Sequence, residues 1–479
     1  MNTTDPRQKL IAHAQQDTEW DIIIIGGGAT GLATAWDAAT RGYKVALLEK
    51  EDFAAATSSR STKLVHGGVR YLQNGELGLV KEALHERSLL IKNAAEFCHP
   101  QRFILPTHAP LARYYYRLGM AMYDLLAGKA NIQTAELLNP IQLQRALPGY
   151  RKKKPTGGIA YSDGQFDDAA LCVAFAQAIN ANNGLAINYL AVEKLISKKG
   201  KIKGVIAKDQ ETSTSWKMRA KAVVNATGIF SDIFRKQNDS IIQWSIRTSR
   251  GSHIVVPEKI LGSDNALIIP ETSDGRVLFA IPWKQHTLIG TTDVPTDTPT
   301  LHPTPSNEEI QFLIEEASNT FDFEPKSISS SWSGLRPLVS RANKGNTASL
   351  SRKHILDIAP DGLISILGGK WTTCRKMAED TINAVIATHK LPQKACNTES
   401  LKLCEHGALP PAFAIDQSPA DSISPQLVAD FFHNHYARSA DDILARRTRM
   451  AMLNTKIAQD QSARITDSLA KLKQSPAPL

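Results

Sequence analysis

The run Trp20-Asp21-Ile22-Ile23-Ile24-Ile25 stops abruptly at Gly26-Gly27-Gly28-Ala29-Thr30-Gly31, and this junction constrains the fold more than any other part of the chain. A short β-branched apolar run bounded by glycine reads as a parallel strand buried on both faces. Leu32, Ala35, Trp36 and Ala39 then recur at helical spacing from Gly31 to Arg41, Gly42 ends the helix, and Lys44-Val45-Ala46-Leu47-Leu48-Glu49 reads as the next strand. The glycines fit G-x-G-x-x-G. Gly26 allows a tight turn, Gly28 lets the backbone approach a pyrophosphate, and Gly31 lets helix pack on strand. The anion would sit at the helix N-terminus, beside Ala29 and Thr30, where free N–H groups and the helix dipole favour it. Glu49 lies about twenty-three positions after Gly26, where an acid reaches a ribose hydroxyl. Strand, helix, second strand and acid agree on a dinucleotide-binding βαβ unit.

The chain has 479 residues, more than one core supports, so two or three structural regions are expected. A hydrophobic share of 42% and a charged share of 22% are those of a soluble globular protein. No apolar run reaches the roughly 20 residues of a spanning helix. Met1 to Thr18 is polar, without the apolar stretch of a secretory signal, which points to the cytoplasm or its membrane surface. Five cysteines without C-x-x-C spacing read as free thiols, and no metal site is expected. The net charge of +9 is compatible with nucleic acid, anionic lipid or an anionic substrate. Nucleic-acid binding calls for a basic stripe interleaved with aromatics, whereas Arg151-Lys152-Lys153-Lys154 is one short run, so no nucleic-acid partner is expected.

Two further apolar strands end in glycine: Ala222-Val223-Val224-Asn225-Ala226 before Thr227-Gly228, and Leu363-Ile364-Ser365-Ile366-Leu367 before Gly368-Gly369-Lys370-Trp371-Thr372-Thr373. Several glycine-bearing strand ends around one sheet suit a long, buried cofactor. Short strands dominate from Ile246 to Asp293, and helical sequence returns beyond about Lys394, after a proline-containing link.

Thr57-Ser58-Ser59-Arg60-Ser61-Thr62-Lys63-Leu64-Val65-His66-Gly67-Gly68-Val69-Arg70-Tyr71-Leu72 makes the chain recognisable. It resembles the FAD-dependent, quinone-linked glycerol-3-phosphate dehydrogenases. The likeness continues through Gly251 to Pro257, Ile289-Gly290-Thr291-Thr292-Asp293, Ser333-Gly334-Leu335-Arg336-Pro337-Leu338 and Gly368-Gly369-Lys370. It covers about residues 20 to 390; Arg250 replaces a frequent lysine, and after Lys394 only Asp441 to Thr448 matches well. The resemblance implies an α/β fold: a Rossmann-like FAD-binding domain, an interleaved antiparallel-sheet substrate domain and a C-terminal helical cap. The corresponding expectation is a polar extension over 1–18, an oxidoreductase region over 19–393 with FAD-binding segments near 19–75, 185–235 and 350–393, and the cap over 394–479. It also implies FAD contacts from Ser59, Ser61, Lys63, Leu64, His66, Gly67, Gly68, Ala226, Thr227, Gly228, Gly334, Gly369, Lys370, Trp371 and Thr372, and substrate contacts from Arg70, Tyr71, Arg336 and Thr373.

The chemistry points the same way. Oxidising a secondary alcohol needs a base near neutral pH, and His66 is the first choice, with His253 the competitor. A phosphate ester needs bidentate cations, for which Arg70 and Arg336 sit in otherwise uncharged stretches. Lys370 would stabilise a reduced flavin through its charge. The expected reaction converts sn-glycerol 3-phosphate to dihydroxyacetone phosphate with electrons passed to a membrane quinone. A soluble oxidase using oxygen is the nearest rival, and a flavin-binding RNA-modification protein a more distant one. Arg113-Tyr114-Tyr115-Tyr116-Arg117, with Arg151 to Lys154, suits peripheral contact with anionic lipid at the inner face of the cell membrane. A homodimer is left open.

Overall fold

The computed structural model describes residues 5–69, 75–109, 111–151, 155–238, 244–257, 259–341, 353–413 and 422–474. The Glu19–Ile25 strand lies near the middle of an eight-stranded sheet, flanked in parallel by Ser215–Asn225 and Val45–Leu48. Ile364–Leu367 and Leu185–Ile187 extend the parallel part on either side. Side-chain alternation explains why a continuous isoleucine run is needed here. Ile22 and Ile24 pack against the Ala29–Thr40, Asp168–Ala181 and Cys374–His389 helices, while Ile23 and Ile25 enter a second core on the opposite face. That second face is covered by the antiparallel strands Leu190–Lys198 and Lys201–Asp209, joined at the Lys199-Gly200 turn.

The second sheet has ten strands, the longest being Trp244–Val256, paired along most of its length with Ser330–Arg341. It is antiparallel except where Ala266–Ile269 runs parallel to Cys98–Thr107. Two outcomes differ from the sequence expectation. Leu64–Val65 already belongs to this second sheet, so the chain crosses over before residue 75. The stretch read as a polar extension contains the Pro6–Ala14 helix, whose Leu10, Ile11 and Ala14 pack on the first sheet's outer core. Its polarity misleads because Arg7 is buried in an ion pair with Asp209 (2.6 Å).

The C-terminal helices Pro425–Asn434 and Thr455–Gln474 build a core of their own. Buried arginines tie this unit to the rest: Arg438 to Asp5 (2.7 Å) and Glu211 (2.8 Å), Arg446 and Arg447 to Asp52 (2.6 and 2.7 Å). Burial raises the Glu211 carboxyl, but Arg438 and Lys473 outweigh it and hold the group down at about 2. Because the folded value lies below the ordinary 4.5, the stabilisation is complete above 4.5 and is lost as pH falls toward about 2. Amide exchange across 423–474, corrected for its intrinsic pH dependence, is therefore expected to accelerate through that window before the first sheet opens. Arg438→Met should bring the same local release at neutral pH; uniform protection in both experiments would refute the latch.

Candidate active site

The carboxyl ends of the parallel strands converge on one cleft of about 1920 Å³ that runs between the two sheets, the usual ligand position in open α/β sheets. Gly26, Gly28, Ala29 and Thr30 line it after the first strand, Glu49 after Val45–Leu48, Ala226, Thr227 and Gly228 after Ser215–Asn225, and Gly369 after Ile364–Leu367. Gly26 has φ of +107°, and a Cβ there would lie 2.7 Å from the Ala226 carbonyl oxygen. At Gly31, just behind the cleft wall, a Cβ would lie 1.9 Å from the Gly26 oxygen. Glu49 is partly committed to its own loop: Oε2 accepts from Gly27 N (2.6 Å) and Oε1 from Glu51 N (2.7 Å). Each carboxylate oxygen has a second acceptor site, so the acid still has capacity toward a ribose.

The Thr57–His66 segment crosses the mouth of this glycine turn. Ala29 N donates to Ser58 Oγ (2.9 Å), and Trp371 Nε1 donates to Ser58 O (2.9 Å). Ser61, Leu64, His66 and Gly68 line the cleft from here, and Gly334, Lys370, Trp371 and Thr372 line it from the opposite side. His66 N donates to Thr372 Oγ1 (3.2 Å), which joins the two walls.

Besides Gly31, four residues expected to touch ligand stand behind the wall. Lys63 is fully buried, donating to Asp168 Oδ2 (2.9 Å) and Ser59 O (2.6 Å), so its ammonium is satisfied inside the protein. Ser59 turns inward with it. Gly67 N is taken by Tyr123 Oη (3.1 Å) and Asp163 Oδ1 (3.2 Å), and Thr373 is a buried residue at the start of the Cys374–His389 helix. Arg70 and Tyr71 lie outside the described residues.

At the far side of the cleft, register explains the arrangement. His253 lies between Gly290 on one neighbouring strand and Trp332 on the other. The absent Gly290 side chain leaves room for the imidazole, since a Cβ would come within 2.2 Å of His253 Cδ2. The ring stacks on Trp332 with centroids 4.2 Å apart, Nε2 meets Thr62 Oγ1 (3.1 Å), and Nδ1 is buried without a hydrogen-bond partner. Burial, then Lys63 and Arg336, hold this imidazole well below the usual histidine range. Burial also lowers His66, with Lys370 adding to the effect and Asp163 opposing it. Both rings are therefore neutral proton acceptors at pH 7.

Arg336 lies on the cleft wall, with Nη1 on Asp293 Oδ1 (3.1 Å) and Nη2 on Thr291 Oγ1 (3.0 Å) and the Thr292 carbonyl (3.1 Å). Gly251 leaves space for this guanidinium, a Cβ there falling 2.4 Å from Nη2. Sequence reasoning missed Glu309, which accepts from Thr292 Oγ1 (2.6 Å) and Ser252 Oγ (2.8 Å) and pairs with Arg250 (2.7 Å). The Ser306-x-x-Glu309 capping pattern was a legible signal for a helix start, but not for this clamp. It also missed Arg60, Arg247 and Arg276 on the same wall. Among the described residues no group of three or more His, Cys, Asp or Glu side chains could hold a metal ion.

A two-sided cradle of strand-end glycines, in which Gly26 leaves no room for a Cβ, fits a dinucleotide cofactor, and comparison with known proteins identifies which. Residues 21–374 match the family model described as FAD dependent oxidoreductase. The chain is 37% identical to the mitochondrial glycerol-3-phosphate dehydrogenases of Macaca fascicularis and Homo sapiens, over 97% of its own length and 72% of theirs. A crystal structure of the glycerol-3-phosphate dehydrogenase from Bacillus halodurans complexed with FAD superposes with a TM-score of 0.75 at 27% identity, covering 100% of this chain and 98% of that one. With the glycine cradle, His66, His253 and Arg336 in one cleft, the chain belongs to the FAD-dependent glycerol-3-phosphate dehydrogenase family.

Proposed function

We propose that the protein oxidises sn-glycerol 3-phosphate to dihydroxyacetone phosphate and delivers the two electrons to a membrane quinone. The observation that carries this reading is the meeting, in one cleft, of the glycine-rich strand ends with Arg336 and His253. FAD, when bound, supplies the acceptor for the carbon-bound hydrogen and its electron pair. Gly26, Gly28, Ala29, Thr30 and Glu49 would hold the nucleotide half, and Ser61, Leu64, Gly68, Gly369, Lys370, Trp371 and Thr372 the flavin half. Arg336, with Arg70, grips the phosphate through its planar fork, and His253, on the same cleft, takes the hydroxyl proton. His66, nearer to Lys370, is the second candidate for that proton.

The experiment is anaerobic mixing with glycerol 3-phosphate while following flavin absorbance. Rapid bleaching supports the substrate, no bleaching refutes it, and reoxidation by a short-chain quinone rather than by air separates dehydrogenase from oxidase. Arg336→Lys keeps the charge but loses the fork, so the substrate KM should rise and catalytic efficiency fall roughly tenfold or more. Unchanged efficiency would remove Arg336 from the phosphate site.

The cleft extends beyond the strand-end glycines to Arg336, Arg276 and the Ala112–Ala127 helix. Its other wall is apolar, formed by Phe103, Ile159, Ile268 and Phe279 beneath Tyr116 and Met120 of the Ala112–Ala127 helix, and a quinone ring suits it. The helix's outer side exposes Leu111 (78%), Tyr115 (68%), Leu118 (74%) and Leu125 (80%). Their spacing forms one stripe, with Arg113 and Arg117 on the same helix, as peripheral attachment to the anionic inner face of the cell membrane requires. Lys152 to Lys154 lie outside the described residues. No described helix is long and apolar enough to cross a membrane. Co-sedimentation with vesicles containing anionic lipid is expected, weakened by Leu118→Glu and by salt; no binding at low or high salt would favour the oxidase.

A further inference from the structure

Lys63, assigned to the cofactor by resemblance, is instead the centre of a buried charge cluster behind His253. Its Nζ lies 4.9 Å from the centroid of Trp332, the indole on which His253 stacks. The neighbouring residue, Thr62, holds His253 Nε2. Asp168 grips Lys63 with Oδ2 and Arg449 of the C-terminal unit with Oδ1; Arg449 also holds Asp167 (2.7 Å), and Lys284 lies 3.6 Å from Asp167. All five side chains are at most 6% exposed. Lys63 thus carries its charge where solvent cannot screen it, directly behind the indole that backs the imidazole.

An ammonium out of water persists only when it is held by carboxylates, which makes such a lysine costly to build. The groups around His253 show what it acts on. Arg336 and Lys63 are the cations acting on it. The His286–Gly290 strand presents only Gly290 to the ring, Asp293 is engaged with Arg336, and Glu309 is clamped by Thr292, Ser252 and Arg250. No carboxylate among the described residues is hydrogen-bonded to the ring to favour imidazolium.

We propose that Lys63, locked by Asp168 and Arg449 beneath Trp332, is a positioning residue that keeps His253 neutral and ready to accept the substrate proton. The inference rests on His253 as the base. It also gives the C-terminal helical unit a role in catalysis, since Arg449 fixes the carboxylate that fixes Lys63. Burial pushes the Lys63 ammonium down to about 8, with Asp168 opposing, so the cation persists at neutral pH.

The test is histidine-selective NMR of the FAD-loaded protein, with His253 identified by the signal lost in His253→Gln. In the parent the ring should stay neutral from about pH 8 to well below about pH 6.5. In Lys63→Met its protonation midpoint should rise by about one pH unit, and the acid limb of flavin reduction should move to higher pH with it. Lys63→Gln, which keeps a donor for Asp168 without the charge, should behave likewise and serves if the methionine variant does not fold. A parent His253 that protonates near 6.5, or an unmoved midpoint in the folded variant, overturns the proposal. If His253→Gln reduces flavin at the parental rate, the base assignment fails separately, and the NMR midpoints still decide whether Lys63 controls the ring.

Discussion

Gly31→Val is expected to yield a folded chain that carries no flavin. The position opens the Ala29–Thr40 helix, and its Cβ would fall 1.9 Å from the Gly26 carbonyl oxygen, a backbone atom that no rotamer change can move aside. Relief requires the helix to back away from the strand end, which destroys the turn whose N–H groups receive the pyrophosphate. Overpacking of a close-packed site typically costs about 1 to 3 kcal/mol, and here it falls on the cofactor's cradle rather than on a distant core. The check is the ratio of flavin to protein absorbance after purification, with far-UV circular dichroism to confirm folding. Gly78→Ala is the control: Gly78 lies in the Leu77–Asn93 helix with nothing near its absent Cβ, so alanine should leave flavin content unchanged and stabilise slightly. Stoichiometric flavin in Gly31→Val would show that the glycine turn is not the nucleotide site.

Residues whose neighbours in sequence are also their neighbours in space were the legible ones. The isoleucine strand, its glycine turn, the following helix and Glu49 all declare themselves within about thirty residues, as a βαβ unit does. What stayed hidden depends on register between distant strands. Nothing near His253 announces that Trp332, about eighty positions on, stacks against it, because the pairing of Trp244–Val256 with Ser330–Arg341 fixes that contact. Lysine and arginine mislead for a different reason: a charged residue in a single sequence reads as solvated or ligand-bound. Lys63, Arg7 and Arg449 are none of these, since each is neutralised by a carboxylate supplied from far along the chain. The apolar wall of the cleft was also invisible, being assembled from several separate strands and a helix.

The second large effect is expected at His253. His253→Gln should purify with normal flavin content and yet reduce it at least about a hundredfold more slowly on anaerobic mixing with glycerol 3-phosphate, the usual loss when a general base is removed. His66→Gln should lose less. The reasoning turns on what each ring has left to offer. His253 lines the same cleft as Arg336, the proposed phosphate anchor, with Nε2 tied to Thr62 and its ring largely stripped of water, so a substrate held by that arginine brings its hydroxyl toward a desolvated acceptor. His66 lies nearer Lys370, and its backbone helps to join the cleft walls, which suits a role in holding the flavin. The pH dependence follows with a definite sign. Because burial, Lys63 and Arg336 depress His253, its neutral form persists below the usual histidine range, and the parental reduction rate should stay level as pH falls through about 6.5. An acid limb near 6.5 that disappears in His66→Gln, together with a large rate loss in that variant, would transfer the proton-accepting role to His66.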